Sequence, residues 1–177
     1  QNAKPFSEGL AVVCKNGKYG FIDKKGEFVI KNKYEFAYSF NRGRAIVRKK
    51  DKYGYINTKG ENVIPEIYYN ARPFYEGQAW VQQAEDGAWM SIDKKNSVVF
   101  YLAKEESPVG GFHNGLALIR TEDGYKYVNK SGALVYTWTF ENDYDWAPEK
   151  AQRKQMSFRE RMKEFHNMTL HFDSRKL

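Results

Sequence analysis

Short apolar segments of β-branched and aromatic residues alternate along the chain with polar, turn-forming residues, and the alternation itself repeats. From Phe6 to Ile30 the order is FSEGLAVVCKNGKYGFIDKKGEFVI, and from Phe40 to Ile64 it is FNRGRAIVRKKDKYGYINTKGENVI, with the same spacing at every step. A third copy, FYEGQAWVQQAEDGAWMSIDKKNSVVF from Phe74, carries two extra residues before Trp89 and two more between Asp93 and Phe112. The fourth, FHNGLALIRTEDGYKYVNKSGALVY, starts at Phe112. The phrase F-x-x-G thus returns after 34, 34 and 38 residues, and a period in this range marks a supersecondary unit whose apolar face is buried only by stacking against its neighbours.

Segments this short and this rich in Val, Ile, Tyr and Phe predict strands and exclude a helix. In the first copy, Leu10 to Cys14, Tyr19 to Ile22 and Glu27 to Ile30 are three expected strands, with Asn16-Gly17 as the first hairpin turn. The second turn recurs as Asp23-Lys24-Lys25-Gly26, Asn57-Thr58-Lys59-Gly60, Asp93-Lys94-Lys95-Asn96 and Asn129-Lys130-Ser131-Gly132, an Asx start followed by a left-handed position that Asn96 also tolerates. The fold class expected is mainly β, with four tandem three-stranded antiparallel units in an open stack. The alternative is a closed propeller-like ring.

The second-strand phrases Lys18-Tyr19-Gly20-Phe21-Ile22-Asp23 and Lys52-Tyr53-Gly54-Tyr55-Ile56-Asn57 resemble the WG repeat family, also called KWG repeats. The resemblance covers roughly Phe6 to Tyr136, with Tyr where the family more often has Trp, and with Trp89-Met90 and Tyr125-Lys126 departing from the Tyr-Gly step. It implies a bacterial repeat protein of the interaction type and brings no catalytic residues.

A residue present in every copy is needed by every copy. Phe6, Phe40, Phe74 and Phe112 are therefore expected between units, Gly9, Gly43, Gly77 and Gly115 in turns, and the Tyr/Trp series in the seams. A binding surface is to be sought where the copies differ, at Arg42, Arg44, Arg48, Lys49, Lys50, Trp80, His113 and Trp138.

Residues 1–63 hold 14 Lys or Arg against 6 Asp or Glu, so the net charge of +7 on the whole chain resides in the first two units. Strand alternation puts Arg42, Arg44 and Arg48 on one side, a footprint for an anionic polymer or glycan, or else a solvated face that keeps strand edges from pairing. Exposed Tyr and Trp would suit a neutral glycan if they formed a flat platform.

The expected domains are a β-repeat array over 1–140 and, over 141–177, an acidic connector followed by an amphipathic α-helix. In that last stretch Phe158, Met162, Phe165, Thr169 and Phe172 form one stripe, with capping of the array as the helix's expected role. The connector, Glu141 to Pro148, lacks the glycine and terminal Glu of an EF-hand loop, so no metal site is expected. The three histidines and single Cys14 fall in no metal-ligand spacing, and no nucleophile-elbow or phosphate-loop motif occurs. No enzyme and no cofactor are expected.

No apolar run approaches the roughly 20 residues of a membrane helix. The sequence opens at Gln1 without an initiator Met, as a processed mature chain or an excised segment would. Gln1 stands so close to the first copy that a cleaved signal, and hence a periplasmic or secreted protein, is the expectation. The function expected is a non-catalytic binding or scaffolding module, with another protein as partner and an anionic polymer or glycan as the alternative.

Overall fold

The computed structural model describes residues 3–139, and the chain divides after Trp138. The acidic connector and the amphipathic helix expected over 141–177 lie outside the described residues. Within them there is no helix, and four small antiparallel sheets follow one another in chain order. The first comprises β1 (Ala11–Lys15), β2 (Lys18–Ile22) and β3 (Phe28–Tyr34). The second comprises β4 (Phe36–Ala37), β5 (Ala45–Lys49), β6 (Lys52–Ile56) and β7 (Asn62–Tyr68). In the third are β8 (Asn70–Ala71), β9 (Gln78–Gln82), β10 (Met90–Asp93) and β11 (Val98–Tyr101). The fourth holds β12 (Ser107–Pro108), β13 (Leu116–Arg120), β14 (Gly124–Asn129) and β15 (Leu134–Thr139).

Three strands per unit therefore describes the first sheet, while the other three carry a fourth, two-residue strand ahead of the repeated Phe. In the first unit this strand is reduced to a single bridge, Ala3 to Val13. None of the sheets closes into a barrel.

Each unit opens with a tight hairpin at its F-x-x-G turn. Glu8 and Gly9, Arg42 and Gly43, Glu76 and Gly77, and Asn114 and Gly115 all have positive φ, between 48° and 90°. Two successive left-handed residues make a hairpin turn whose twist matches that of the flanking strands, and Gly takes the second position at no steric cost. The Asx turn is equally regular. Asp23, Asn57, Asp93 and Asn129 each accept, through Oδ1, the amides two and four residues on, at 2.7 to 3.0 Å.

Side-chain alternation then buries both faces of the inner sheets. Ala45, Val47 and Ile56 join Leu10, Val12, Phe21, Ile30 and Tyr34 in one cluster between the first and second units. Ile46, Tyr55, Ile64 and Tyr68, on the other face, join Phe74, Ala79, Val81, Met90 and Ile92 of the third. Trp80, Trp89 and Leu102 meet Phe112, Ala117, Ile119 and Val128 of the fourth. The repeated Phe is the plug of each seam: Phe40 lies 4.8 Å from Phe21, Phe74 4.9 Å from Tyr55 and Phe112 5.4 Å from Trp80, centroid to centroid. Phe6, in the first described unit, is the exception, at 50% exposure.

The Tyr-Gly step has a backbone reason. In the first two units the partner strand bulges: Tyr19 pairs with Tyr34 but Phe21 with Ile30, and Tyr53 pairs with Tyr68 but Tyr55 with Ile64. The bulged backbone presses on the glycine between them, so a Cβ on Gly54 would lie 2.7 Å from the Ile64 carbonyl oxygen and from the Glu66 nitrogen. In the third unit Met90 pairs with Tyr101 and Ser91 with Phe100, with no bulge between them, and a side chain is accommodated. In these three units the bulge across this step and the glycine go together, the third unit keeping only the later shift between Ser91 and Ile92. Gly54→Ala should therefore lower the unfolding free energy by about 1–3 kcal/mol in denaturant titration; a change under about 0.5 kcal/mol would show that the strands do not approach as closely as described.

Candidate interface

The four F-x-x-G turns stack in a column, and the side chains at their variable positions reach from one turn to the next. Ser7 donates its Oγ–H to the Phe40 carbonyl at 2.7 Å, and Glu8 Oε2 accepts the Gly43 amide at 2.9 Å. Glu76 repeats the contact one junction further on, taking the Asn114 amide on Oε1 at 2.7 Å and the Gly115 amide on Oε2 at 2.9 Å. The Gly115 amide first, then the Asn114 amide and the charges of Lys130 and His113, hold the Glu76 carboxyl below the ordinary carboxylate range, against an opposing contribution from burial. Lys130 Nζ also donates to the Glu76 carbonyl at 2.6 Å.

The basic run does not form one solvent-facing footprint. Arg44 and Arg48 do share a side of their strand with Ile46, but that side faces the third unit. Arg44 donates from Nη2 to the Lys94 carbonyl at 3.1 Å and its guanidinium lies 4.7 Å over the Phe74 ring. Burial lowers its pKa from the ordinary arginine value. The equivalent residue of the next unit, Gln78, makes the same reach, from Nε2 to the Lys130 carbonyl at 2.9 Å. Arg48 lies over Tyr53 and 3.8 Å from the Glu35 carboxylate.

Lys49 and Lys50 stand exposed at the β5–β6 hairpin, where Glu35 accepts the Lys50 and Asp51 amides at 3.0 and 3.1 Å. Those amides, Asp51's before Lys50's, hold the Glu35 carboxyl below its ordinary value. Arg42 is exposed in its turn, with its guanidinium 5.9 Å from the Tyr75 ring centroid.

Trp80 is not a surface residue; it is 1% exposed and belongs to the seam between the third and fourth units. It pairs across the strands with Ser91, at the place where Val12 pairs with Phe21 and Ile46 with Tyr55. The large ring has moved from the second strand to the first, and the buried serine makes room for it, so the seam volume is conserved. His113 is exposed, with its ring 5.1 Å from that of Tyr75. Trp138 is half-buried on β15, stacked on Tyr125 at 6.0 Å with the planes 24° apart. The eight candidates thus fall into separate places. Arg42 and His113 share the turn column, Arg44 and Arg48 face the third unit, Lys49 and Lys50 form a hairpin tip, Trp80 is core and Trp138 lies on β15.

The aromatic group around exposed Tyr38 is not a flat platform. The Tyr19 and Phe36 planes are tilted by 51° and those of Phe36 and Tyr38 by 71°, with Lys4 Nζ within 5 Å of the Phe36 and Tyr38 centroids.

Three carboxylates escaped the reading of the sequence: Glu8, Glu35 and Glu76, each bound to turn amides. The signal for two of them was the third residue of the turn, which runs Glu8, Arg42, Glu76, Asn114. Among the described residues no group of His, Cys, Asp and Glu is arranged to hold a metal ion, and no helix is long and apolar enough to cross a membrane.

A family model described as WG containing repeat matches residues 1–19, 19–53 and 53–85, with breaks at Tyr19 and Tyr53, where the Tyr-Gly step begins. Residues 1–85 carry WG repeats. Beyond residue 85 the fourth unit keeps the same strand order and the same two turns. No curated protein matches the chain. Among solved structures, a protein of unknown function from Bacteroides caccae, determined by crystallography, is similar at 14% identity and a TM-score of 0.42, over 82% of this chain and 62% of that one. The chain accordingly spans less than two thirds of that protein's length.

The units also differ at one buried polar position. Tyr68 donates its hydroxyl to Asn96 Oδ1 at 2.6 Å, so Asn96 both takes the left-handed turn position and satisfies the preceding unit. Gly60 holds that position in the second unit, and the Tyr34 hydroxyl that precedes it is buried with no hydrogen-bond partner. Tyr68→Phe should cost about 1 kcal/mol, whereas Tyr34→Phe should be neutral or stabilising, because it removes an unsatisfied buried hydroxyl. Denaturant midpoints of the two variants decide this, and equal losses would refute it.

Proposed function

We propose that the WG repeat array is a non-catalytic binding module that engages a protein partner, with its four units in an open stack. The open stack is supported by the order of the core clusters, which join the first unit to the second, the second to the third and the third to the fourth. The observation that carries the binding reading is the outer edge of the sheets. The last strand in every sheet exposes apolar side chains: Val29 on β3, Ile67 on β7, Val98, Val99 and Tyr101 on β11, and Leu134 and Val135 on β15. Tyr101 and Leu134 are more than 60% exposed.

Soluble proteins normally shorten, charge or cover such edges, and contiguous apolar exposure marks contact surfaces. An extended segment of a partner protein can satisfy the backbone of such an edge and cover its side chains together. An anionic polymer has less support, because Arg44 and Arg48 face the third unit and leave Arg42, Lys49 and Lys50 as separate exposed cations.

A photo-crosslinking residue at Val99 or Tyr101 of the full chain, produced in its source cells, tests this. The expected result is a protein adduct of one defined mass at both positions, unchanged by salt and missing when the label stands at exposed Lys24. Adducts at neither edge position, or salt-sensitive capture of nucleic acid or acidic glycan lost on neutralising Lys49 and Lys50, would overturn the reading.

A further inference from the structure

The column of turns has one junction that no carboxylate among the described residues closes. Two of its three junctions are closed by a glutamate of the preceding turn: Glu8 on the Gly43 amide, and Glu76 on the Asn114 and Gly115 amides, one oxygen to each. At the junction between the second and third units the corresponding amides are those of Glu76 and Gly77, in the same left-handed conformation, with φ of 48° and 90°. The residue that would close it is Arg42. Among the described residues no carboxylate accepts these two amides, and the Arg42 guanidinium has no ion-pair partner. It reaches the side of the Tyr75 ring, within the turn that carries the two amides. Arg44, over Phe74, and Lys130, on the Glu76 carbonyl, add positive charge nearby, while the Glu76 carboxylate is engaged by the following turn. Around a Cβ built at Gly77 there is open space.

We propose that Arg42 with the Glu76 and Gly77 amides forms a site for an acidic side chain, Asp or Glu, of a bound peptide. The chemistry is that of the sister junctions: two adjacent N–H donors match the two oxygens of a planar carboxylate. Arg42 replaces the internal carboxylate with a cation, so the anion must come from outside, and its fork supplies further donors to the same group. The substitution of Arg for Glu converts a stacking contact into a binding position. This inference rests on the partner being a protein, and it names the residue type that partner presents.

The test is a titration of the full-length, isotope-labelled chain with an acetylated, amidated Glu-Glu peptide, followed by amide resonances, with inorganic phosphate in a parallel arm. The Glu76 and Gly77 amides should shift saturably with peptide. Arg42→Gln should weaken the peptide by about tenfold. In Arg42→Glu the internal carboxylate should move the Gly77 resonance before any peptide is added and abolish the response to it. Arg42→Gln keeps the test decisive if Arg42→Glu does not fold. No saturable shift at Gly77, undiminished affinity in Arg42→Gln, or saturation by phosphate but not by peptide would each overturn the proposal. The edge-strand crosslinks are read independently of these resonances, so failure of this site is distinguishable from failure of the protein-binding reading on which it rests.

Discussion

Every sheet in this molecule is too small to bury its own apolar face, and the contact on which the structure depends is the one between a ring of one unit and the repeated Phe of the next. Phe21 on Phe40, Tyr55 on Phe74 and Trp80 on Phe112 recur at 4.8 to 5.4 Å, surrounded by small and β-branched residues from both sheets. An aromatic pair contributes roughly 0.5–1.5 kcal/mol beyond the area it buries, and burial of each ring adds more. Stability in such an array is a sum of intrinsic and nearest-neighbour contributions, so a unit is only as firm as the seams on either side of it.

Backbone geometry holds the units to a common shape so that the seams can repeat. The left-handed pair in each F-x-x-G turn, the Asx oxygen that caps each second turn, and the glycine pressed against the bulge in the first two units are local requirements with few residue solutions. What lies outside those requirements is free to change. The position that reads Glu8, Arg42, Glu76, Asn114 shows the consequence, since the same place on the turn serves either as an internal clamp or as an exposed cation.

The repeated phrase made the strands, both turns and the buried Phe40, Phe74 and Phe112 legible, because backbone constraints and close-packed seams impose residue types that survive in the letters. Phe6 carries the same letter yet is half exposed, a difference in surroundings that no local pattern records. Strands β4, β8 and β12 are two residues long, too short to show a period. The extension of β3 and β7 past Ile30 and Ile64 to Tyr34 and Tyr68 was hidden because their bulges break the alternation that an unbroken strand would show.

At the candidate site, strand alternation placed Arg44 and Arg48 on one face but did not say what the face packs against. Trp80 looked like a variable surface aromatic until its cross-strand partner, Ser91, was known. Compensation between paired strands is a property of the register, which a single chain of letters does not carry. The contribution of Glu8, Glu35 and Glu76 was hidden for a related reason, because their acceptors serve amides of turns distant in sequence.

The measurement that tests the central claim most directly is a double-mutant cycle across one seam, with Phe21→Leu and Phe40→Leu alone and together, read by denaturant unfolding. If the seam holds the array together, the two substitutions are coupled by about 0.5–1.5 kcal/mol, the range found for aromatic pairs. Additivity within about 0.3 kcal/mol would contradict it, and would mean that each sheet is stable on its own and the stacking is incidental.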